Sequence, residues 1–337
     1  DDMSTFARTF CIKRINDQVL EENPWFKHML LYWQPAGGAL RREMPQATEL
    51  LTEGPPHEED PERLRLAIRN DYLNLYRSGQ SVAKIGFGRS GELQARIHDK
   101  YIHGDKGVGQ TYVTLTSAGL HDQETGRLRE YGGVADLHGW VANANKHVGK
   151  EKRFVDLVVA RNPDTIDLEM ALPPFSPPGQ KRTAPRMDLV ALEPDGDRWR
   201  IVFWEAKLVD DSRARCQGDG QPEVVNQLER YTLWLDHEKH RELVASAYQN
   251  ACRLLVEFHK IAKRINPRIE NLGESIIAVG TPDALPLCID DKPRLLIDDR
   301  AADVAFRENG HLKKLRDIGI HVQMVSGFGD MALETRA

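Results

Sequence analysis

The segment RMDLVALEPDGDRWRIVFWEAK, Arg186 to Lys207, decides the fold. Apolar residues recur at Met187, Leu189 and Ala191, a Glu193-Pro-Asp-Gly-Asp197 run intervenes, and Ile201, Val202, Phe203 and Trp204 follow. β-Branched and aromatic residues on both sides of a Pro/Asp/Gly cluster read as strand, turn, strand. Side chains two apart on a strand share a face, so Glu205 and Lys207 point the same way. In an antiparallel pair the end of the second strand lies beside the start of the first, where Asp188 stands. Asp188, Glu205 and Lys207 are therefore expected to converge.

Two carboxylates beside an ammonium suit Mg2+, a hard cation that takes oxygen ligands and commonly only one or two protein carboxylates. The alternative is an ordinary surface ion pair, because Glu-x-Lys recurs by chance in a charged chain. Asp290 and Lys292 form such a pair in a proline-flanked stretch with no upstream acid. The hairpin differs in that an apolar strand runs directly into its charges, an arrangement with no structural return.

With these residues in hand, the chain resembles the PD-(D/E)XK nucleases, the restriction-endonuclease-like superfamily. An Asp on one strand is followed, after a short hairpin, by a strand ending Glu-Ala-Lys. A second mark lies downstream, where Gln227 and Tyr231 stand four apart on a predicted helix and match the Gln-x-x-x-Tyr of the RecB-like branch. The resemblance covers roughly Asn143 to Val325, and it departs from the motif in having Met187 where proline often precedes the Asp. It implies an α/β core, a mixed central sheet flanked by helices, and Mg2+-dependent hydrolysis of DNA, with Mn2+ able to substitute. Asp188, Glu205 and the carbonyl of Ala206 would hold the metal. Lys207 would position the attacking water, and Gln227 and Tyr231 would support the site. Products with a 5'-phosphate and a 3'-hydroxyl are expected. The superfamily places a helix before the hairpin that often contributes a further acid or histidine. Glu151 is the first candidate on that helix and His147 the second, and Glu169 on the preceding strand is another.

A chain of 337 residues suits two domains. The expected division is 1–135, a β-rich α+β domain of unassigned function, and 136–337, the nuclease-like domain. Net charge is -5, so contact with nucleic acid must come from local basic patches. Cys11, Cys216, Cys252 and Cys288 are far apart and include no Cys-x-x-Cys, which argues against a zinc ribbon or a four-cysteine iron–sulfur cluster. No signal peptide or membrane-length apolar run is read, and a reducing cytoplasm is the expected compartment. Asp1 and Asp2, ahead of Met3, are set aside from fold reasoning. DNA is the expected partner, with a homodimer or a defence-system protein as further expectations; a bacterial or phage-related defence role follows from the resemblance alone.

Along the chain, residues 53–62 read as an acidic linker, and Leu64 to Ile102 as a meander of strands, with Glu92 to Ile102 alternating throughout. Gly86, Gly88 and Gly91 spell Gly-x-Gly-x-x-Gly, but dinucleotide binding needs a helix directly afterwards, so a hairpin turn is expected. Thr111 to Leu115 reads as a strand and Tyr131-Gly-Gly133 as the boundary. Asn143 to Ala160 reads as one helix, capped by Asn143 or Asn145. Thr165 to Leu172 reads as a strand, Pro173 to Pro185 as a stiff loop whose Lys181 and Arg182, with Arg186, could follow phosphate, and Val209 to Pro222 as a loop carrying Arg213 and Arg215. Asp236-His-Glu-Lys-His240 has ligand-type residues among solvated charges. Arg253, Lys260, Lys263 and Arg264 form a basic stripe on a helix, equally a solvated face. Ile276 to Val279, Arg294 to Ile297 and Val322 to Val325 read as strands, and Ala301 to Asp317 as a helix. Two rivals remain: a non-catalytic nucleic-acid-binding or assembly protein, and a nucleotide-binding enzyme built on the three glycines.

Overall fold

Strand alternation in the first third of the chain builds a meander. In the computed structural model, which describes residues 6–39, 63–104, 111–121, 126, 128–175, 184–216, 218 and 220–336, two short helices come first. These are α1 (Asp17–Glu22) and α2 (Pro24–Leu31). Then β1 (Arg65–Ile68), β2 (Tyr72–Arg77), β3 (Gln80–Phe87), β4 (Leu93–His98), β5 (Tyr112–Thr116), β6 (Gly119–His121) and β7 (Leu128–Arg129) pair in chain order, each antiparallel to the last. Ser78 and Gly79 make the β2–β3 turn with φ of 39° and 76°. Two positive values give the turn whose twist matches the flanking strands. Gly88 and Gly91 close the β3–β4 hairpin, Gly91 at φ 91°, and a strand follows them. That strand stops at His98, short of the expected Ile102. The His98 imidazole accepts the Lys100 N–H and caps α3 (Asp99–His103), a local hydrogen bond that outcompetes continued alternation.

The helix expected over Asn143–Ala160 is two helices, α4 (Val134–Asn145) and α5 (Lys150–Arg161). Neither Asn143 nor Asn145 caps α5; its N-cap is Gly149. Then come β8 (Thr165–Ala171), β9 (Arg186–Asp195), β10 (Arg198–Leu208), α6 (Glu223–Leu235) and α7 (Glu238–Ile265). The segment Ile276–Val279, expected as a strand, lies in α8 (Glu274–Val279). A four-residue apolar run cannot separate strand from helix by period. Here Asp164 Oδ1 accepts from both the N–H and the hydroxyl of Ser275 and fixes the first turn. β11 (Cys288–Ile289), β12 (Arg294–Asp298), α9 (Val304–Glu308), α10 (His311–Asp317) and β13 (Val322–Val325) finish the chain. The single helix expected from Ala301 to Asp317 is split because Gly310 takes a left-handed φ of 75°.

The whole is a mixed α/β fold with two sheets and, among the described residues, ten α-helices. The second sheet has the order β13-β12-β10-β9-β8, with β11 also on β10. β8–β9 and β9–β10 are antiparallel, whereas β10–β12 and β12–β13 are parallel. β10 is buried on both faces, which explains its near-continuous apolar run. Its Ile201 and Phe203 enter one core with Val190 of β9, and its Val202, Trp204 and Ala206 enter another with Phe154, Val155, Val158 and Val159 of α5. The first core is shared between the sheets, taking Leu73, Ile85 and Ile97 from the meander. α7 packs on α2, α8, β1, β8 and β11 through Tyr248, Leu255 and Phe258, which recur at helical spacing. Among the described residues no helix is long and apolar enough to cross a membrane.

Two buried ionic clusters hold this arrangement. Asp167 of β8, its side chain about 1% exposed, accepts from Arg8, from Arg69 and from the Tyr248 hydroxyl. Burial pushes its carboxyl up, and the two guanidinium groups outweigh that and hold it below its ordinary value. At the far side Arg294 is paired with both Glu193 and Asp290, so Asp290 has a structural partner and takes no part in the Glu205 cluster. Asp167→Ala strands two buried cations, and loss of one partner of such a set costs about 3–5 kcal/mol. A urea midpoint lowered by that free energy divided by the m-value, with m itself unchanged, is the expected result; a midpoint equal to that of the native chain would refute the lock.

Candidate active site

The Pro/Asp/Gly turn expected over Glu193–Asp197 is tighter than that span: Glu193, Pro194 and Asp195 pair with β10, leaving a two-residue loop, Gly196-Asp197, with Gly196 at φ 63°. Pairing runs from Arg198↔Asp195 to Trp204↔Leu189, which brings Glu205 next to Asp188. Asp188 Oδ2 accepts the backbone N–H of Ala206 at 2.8 Å, tying the strand ends together. Lys207 donates to the Glu205 carboxylate and, at 2.7 Å, to the Ala206 carbonyl. Asp188, Glu205 and Lys207 are 6%, 3% and 1% exposed, so this is a buried charge cluster and no surface pair.

Two further acids reach it. Glu151, in the first turn of α5, lies 3.6 Å from the Lys207 ammonium and 3.4 Å from the Arg213 guanidinium. Glu169 arrives from β8. It holds a φ of 49°, a left-handed conformation rare for a residue with a side chain and typical of functional or strained positions. Lys152, which the sequence reading missed, bridges Glu169 and Asp188 at 2.6 Å each. Its one legible signal was adjacency to Glu151; which acids it would meet depends on how α5 crosses the sheet.

The remaining site residues fall in other places. Gln227 Nε2 donates to the Arg186 carbonyl at 3.1 Å, pinning α6 to the start of β9 two residues from Asp188. Tyr231 is fully buried, packs at a tilt against Phe203 and donates to the Met170 carbonyl, so it anchors α6 and faces no solvent. His147 is exposed beside Tyr101 and does not join the acids. His240 lies flat on Trp234 with ring centroids 4.1 Å apart, a packing role. Arg215 is spent on the Val209 carbonyl and Asp303. In the basic stripe Lys260 pairs with Glu257 and Arg264 with Asp17, which blunts its field. Lys181 and Arg182 lie outside the described residues; Arg186 is exposed at the site's edge.

Burial, then the neighbouring Asp188 charge, pushes Glu205 up to about 8. Burial also raises Glu151 and Glu169, against the pull of Lys207 and Lys152 respectively. Four carboxylates thus face two ammonium groups, with Arg213 at the rim, and negative charge is left over. No three His, Cys, Asp or Glu side chains among the described residues are arranged to hold a metal ion as they stand. The donor set is nevertheless all oxygen and over-acidic, which fits a hard divalent cation. Comparison with family models, curated proteins and solved structures finds no match to this chain.

The sign of the pH effect follows from Glu205. Its folded value lies above the ordinary 4.5, so the folded protein keeps a proton that the unfolded chain has released between about 4.5 and 8. Stability contributed here is therefore lost as pH rises through that window. In EDTA, Glu205→Gln should have a Tm that gains on the native chain between pH 5 and pH 9. Parallel melting curves across that range would show an ordinary carboxyl.

Proposed function

We propose that this chain is a metal-dependent nuclease that hydrolyses DNA, built on a restriction-endonuclease-like core in its second sheet. The observation that carries the reading is the meeting of Asp188, Glu205 and Lys207 at the end of one hairpin, with Glu151 and Glu169 converging from α5 and β8. Asp188, Glu205 and the Ala206 carbonyl would hold Mg2+ or Mn2+, with Glu151 or Glu169 completing the oxygen set. When bound, the cation supplies charge neutralisation at the phosphate and acidifies water at neutral pH.

The protein's own groups supply the rest. Lys207, held by Glu205 and the Ala206 carbonyl, presents a fixed ammonium that can orient the attacking water and offset charge developing on the phosphoryl oxygens. The desolvated setting of these residues strengthens each such interaction. Gln227 and Tyr231 act as positioning residues, since both reach the backbone of the strands that carry the acids. A role as an endonuclease in bacterial defence or restriction is part of the proposal and rests on the resemblance.

A second reading has one observation in its favour. Lys152 already bridges Glu169 and Asp188, as it would in a nucleic-acid-binding or assembly protein that kept the fold for structure. The two separate on incubation with supercoiled, linear and single-stranded DNA and with RNA, in Mg2+, Mn2+ or EDTA. The nuclease cuts DNA only with metal and leaves 5'-phosphates. Asp188→Ala, Glu205→Ala and Lys207→Ala should each lower the rate by at least about 10²-fold, the scale of losing one preorganised electrostatic group. Full activity in any of them would overturn the site, and metal-independent DNA retention without cleavage would favour the second reading.

A further inference from the structure

The meander turns one face to the core and the other outward. Leu73, Leu75, Ala83, Ile85, Ala95, Ile97, Val113 and Leu115 point into the shared core. By alternation the opposite face carries Tyr72 and Asn74 on β2, Lys84 on β3, Gln94, Arg96 and His98 on β4, and Tyr112 and Thr114 on β5. Register aligns Asn74, Lys84, Arg96 and Thr114 as one row across four strands. Tyr112 stands beside that row, with the Lys84 ammonium 5.5 Å and the Arg96 guanidinium 5.0 Å from its ring centroid and the His98 ring at 5.2 Å.

The charge of this face is unlike that of the chain. Net charge overall is -5, yet β2, β3, β4 and β5 contain no Asp or Glu, and the cations that this face presents are Lys84 and Arg96, neighbours in the β3–β4 register. A half-exposed aromatic ring flanked by cations on an acid-free sheet is the combination that single-stranded nucleic acid uses: bases stack on the ring while phosphates meet the cations. Tyr112, Lys84, Gln94 and His98 are partly exposed and Arg96 is exposed.

The same face leads to the acid cluster. A cleft of about 610 Å³ lies between the sheets, with Tyr72, Asn74 and Lys84 on one wall and Glu169 and Arg186 on the other. Gly79 of the β2–β3 turn also lines it and packs on the acid cluster, so tightly that a Cβ there would come within 2.9 Å of Lys152 and 3.0 Å of Glu169. The turn is fixed there by Ser78 donating to Asp156 of α5, which also pairs with Arg65.

We propose that the outward face of β2–β5 is a binding platform for a single nucleic-acid strand, which the inter-sheet cleft leads to Glu169. Its destination rests on the nuclease reading; the surface itself does not. Direct contact is assigned to Lys84, Arg96 and Tyr112, all outside the acid cluster.

The test is fluorescence anisotropy in EDTA with a labelled 20-nucleotide oligodeoxythymidylate and, separately, a duplex of that length, alongside a hydrolysis assay in Mg2+. The triple variant Lys84→Ala/Arg96→Ala/Tyr112→Ala should bind the single strand at least tenfold more weakly. The slope of log affinity against log salt should shrink by about 1.4, the value for two lost phosphate contacts on a single strand. Tyr112→Phe should keep affinity, because stacking needs the ring and not the hydroxyl. Native affinity in a triple variant with native circular dichroism overturns the platform, as does native-chain preference for the duplex or no binding of the single strand. Should native protein bind through these residues yet cut nothing, the platform stands and the nuclease reading falls. Hydrolysis unchanged in the triple variant, with unchanged affinity, does the reverse.

Discussion

Asp167 is the shared carboxylate partner of two guanidinium groups in an interior that would tolerate neither alone. Arg8 comes from the start of the chain, Arg69 from the β1–β2 turn, and the Tyr248 hydroxyl from α7. One carboxylate on β8 thereby fixes the amino-terminal segment, the meander and the long helix relative to the second sheet. Glu169 lies two residues farther along the same strand, so this lock also decides where Glu169 meets Lys152 and Asp188.

The acid cluster is the opposite kind of charge group. Around Asp167 each buried cation has the carboxylate as partner and the carboxyl is held below its ordinary value, whereas around Glu205 acids outnumber bases and burial pushes Glu205 up to about 8. A fold gains nothing in stability from such an imbalance, and perturbed carboxyls in a buried cluster of this kind are a frequent mark of functional sites. The left-handed backbone at Glu169 adds strain at the same place. Two neighbouring clusters of opposite character are thus joined by one strand.

The meander contributes through its turn as well as its core. Gly79 makes close approach possible: with no Cβ it lets the β2–β3 turn touch Lys152 and Glu169, and its positive φ is one that side chains rarely adopt. Ser78 and Asp156 hold it in register. A change at this turn would reach the acids through packing, which couples the first sheet to the cluster.

The sequence by itself determined the local elements whose period and punctuation agreed. The Arg186–Lys207 hairpin, with β-branched residues around Pro-Asp-Gly-Asp, fixed Asp188 beside Glu205 because antiparallel neighbours are set by a two-residue turn. The meander strands and the glycine turn at Gly88–Gly91 were legible for the same reason. Where period was short or ambiguous, local hydrogen bonds decided: His98 capped α3, Asp164 captured Ser275, and Gly310 split a helix. Only the tertiary structure brought Lys152 between Glu169 and Asp188, removed His147 from the acids, buried Tyr231 and set the polar sheet face against the cleft. Those relations depend on how helices cross sheets, an outcome of packing among residues far apart in sequence that no local pattern encodes.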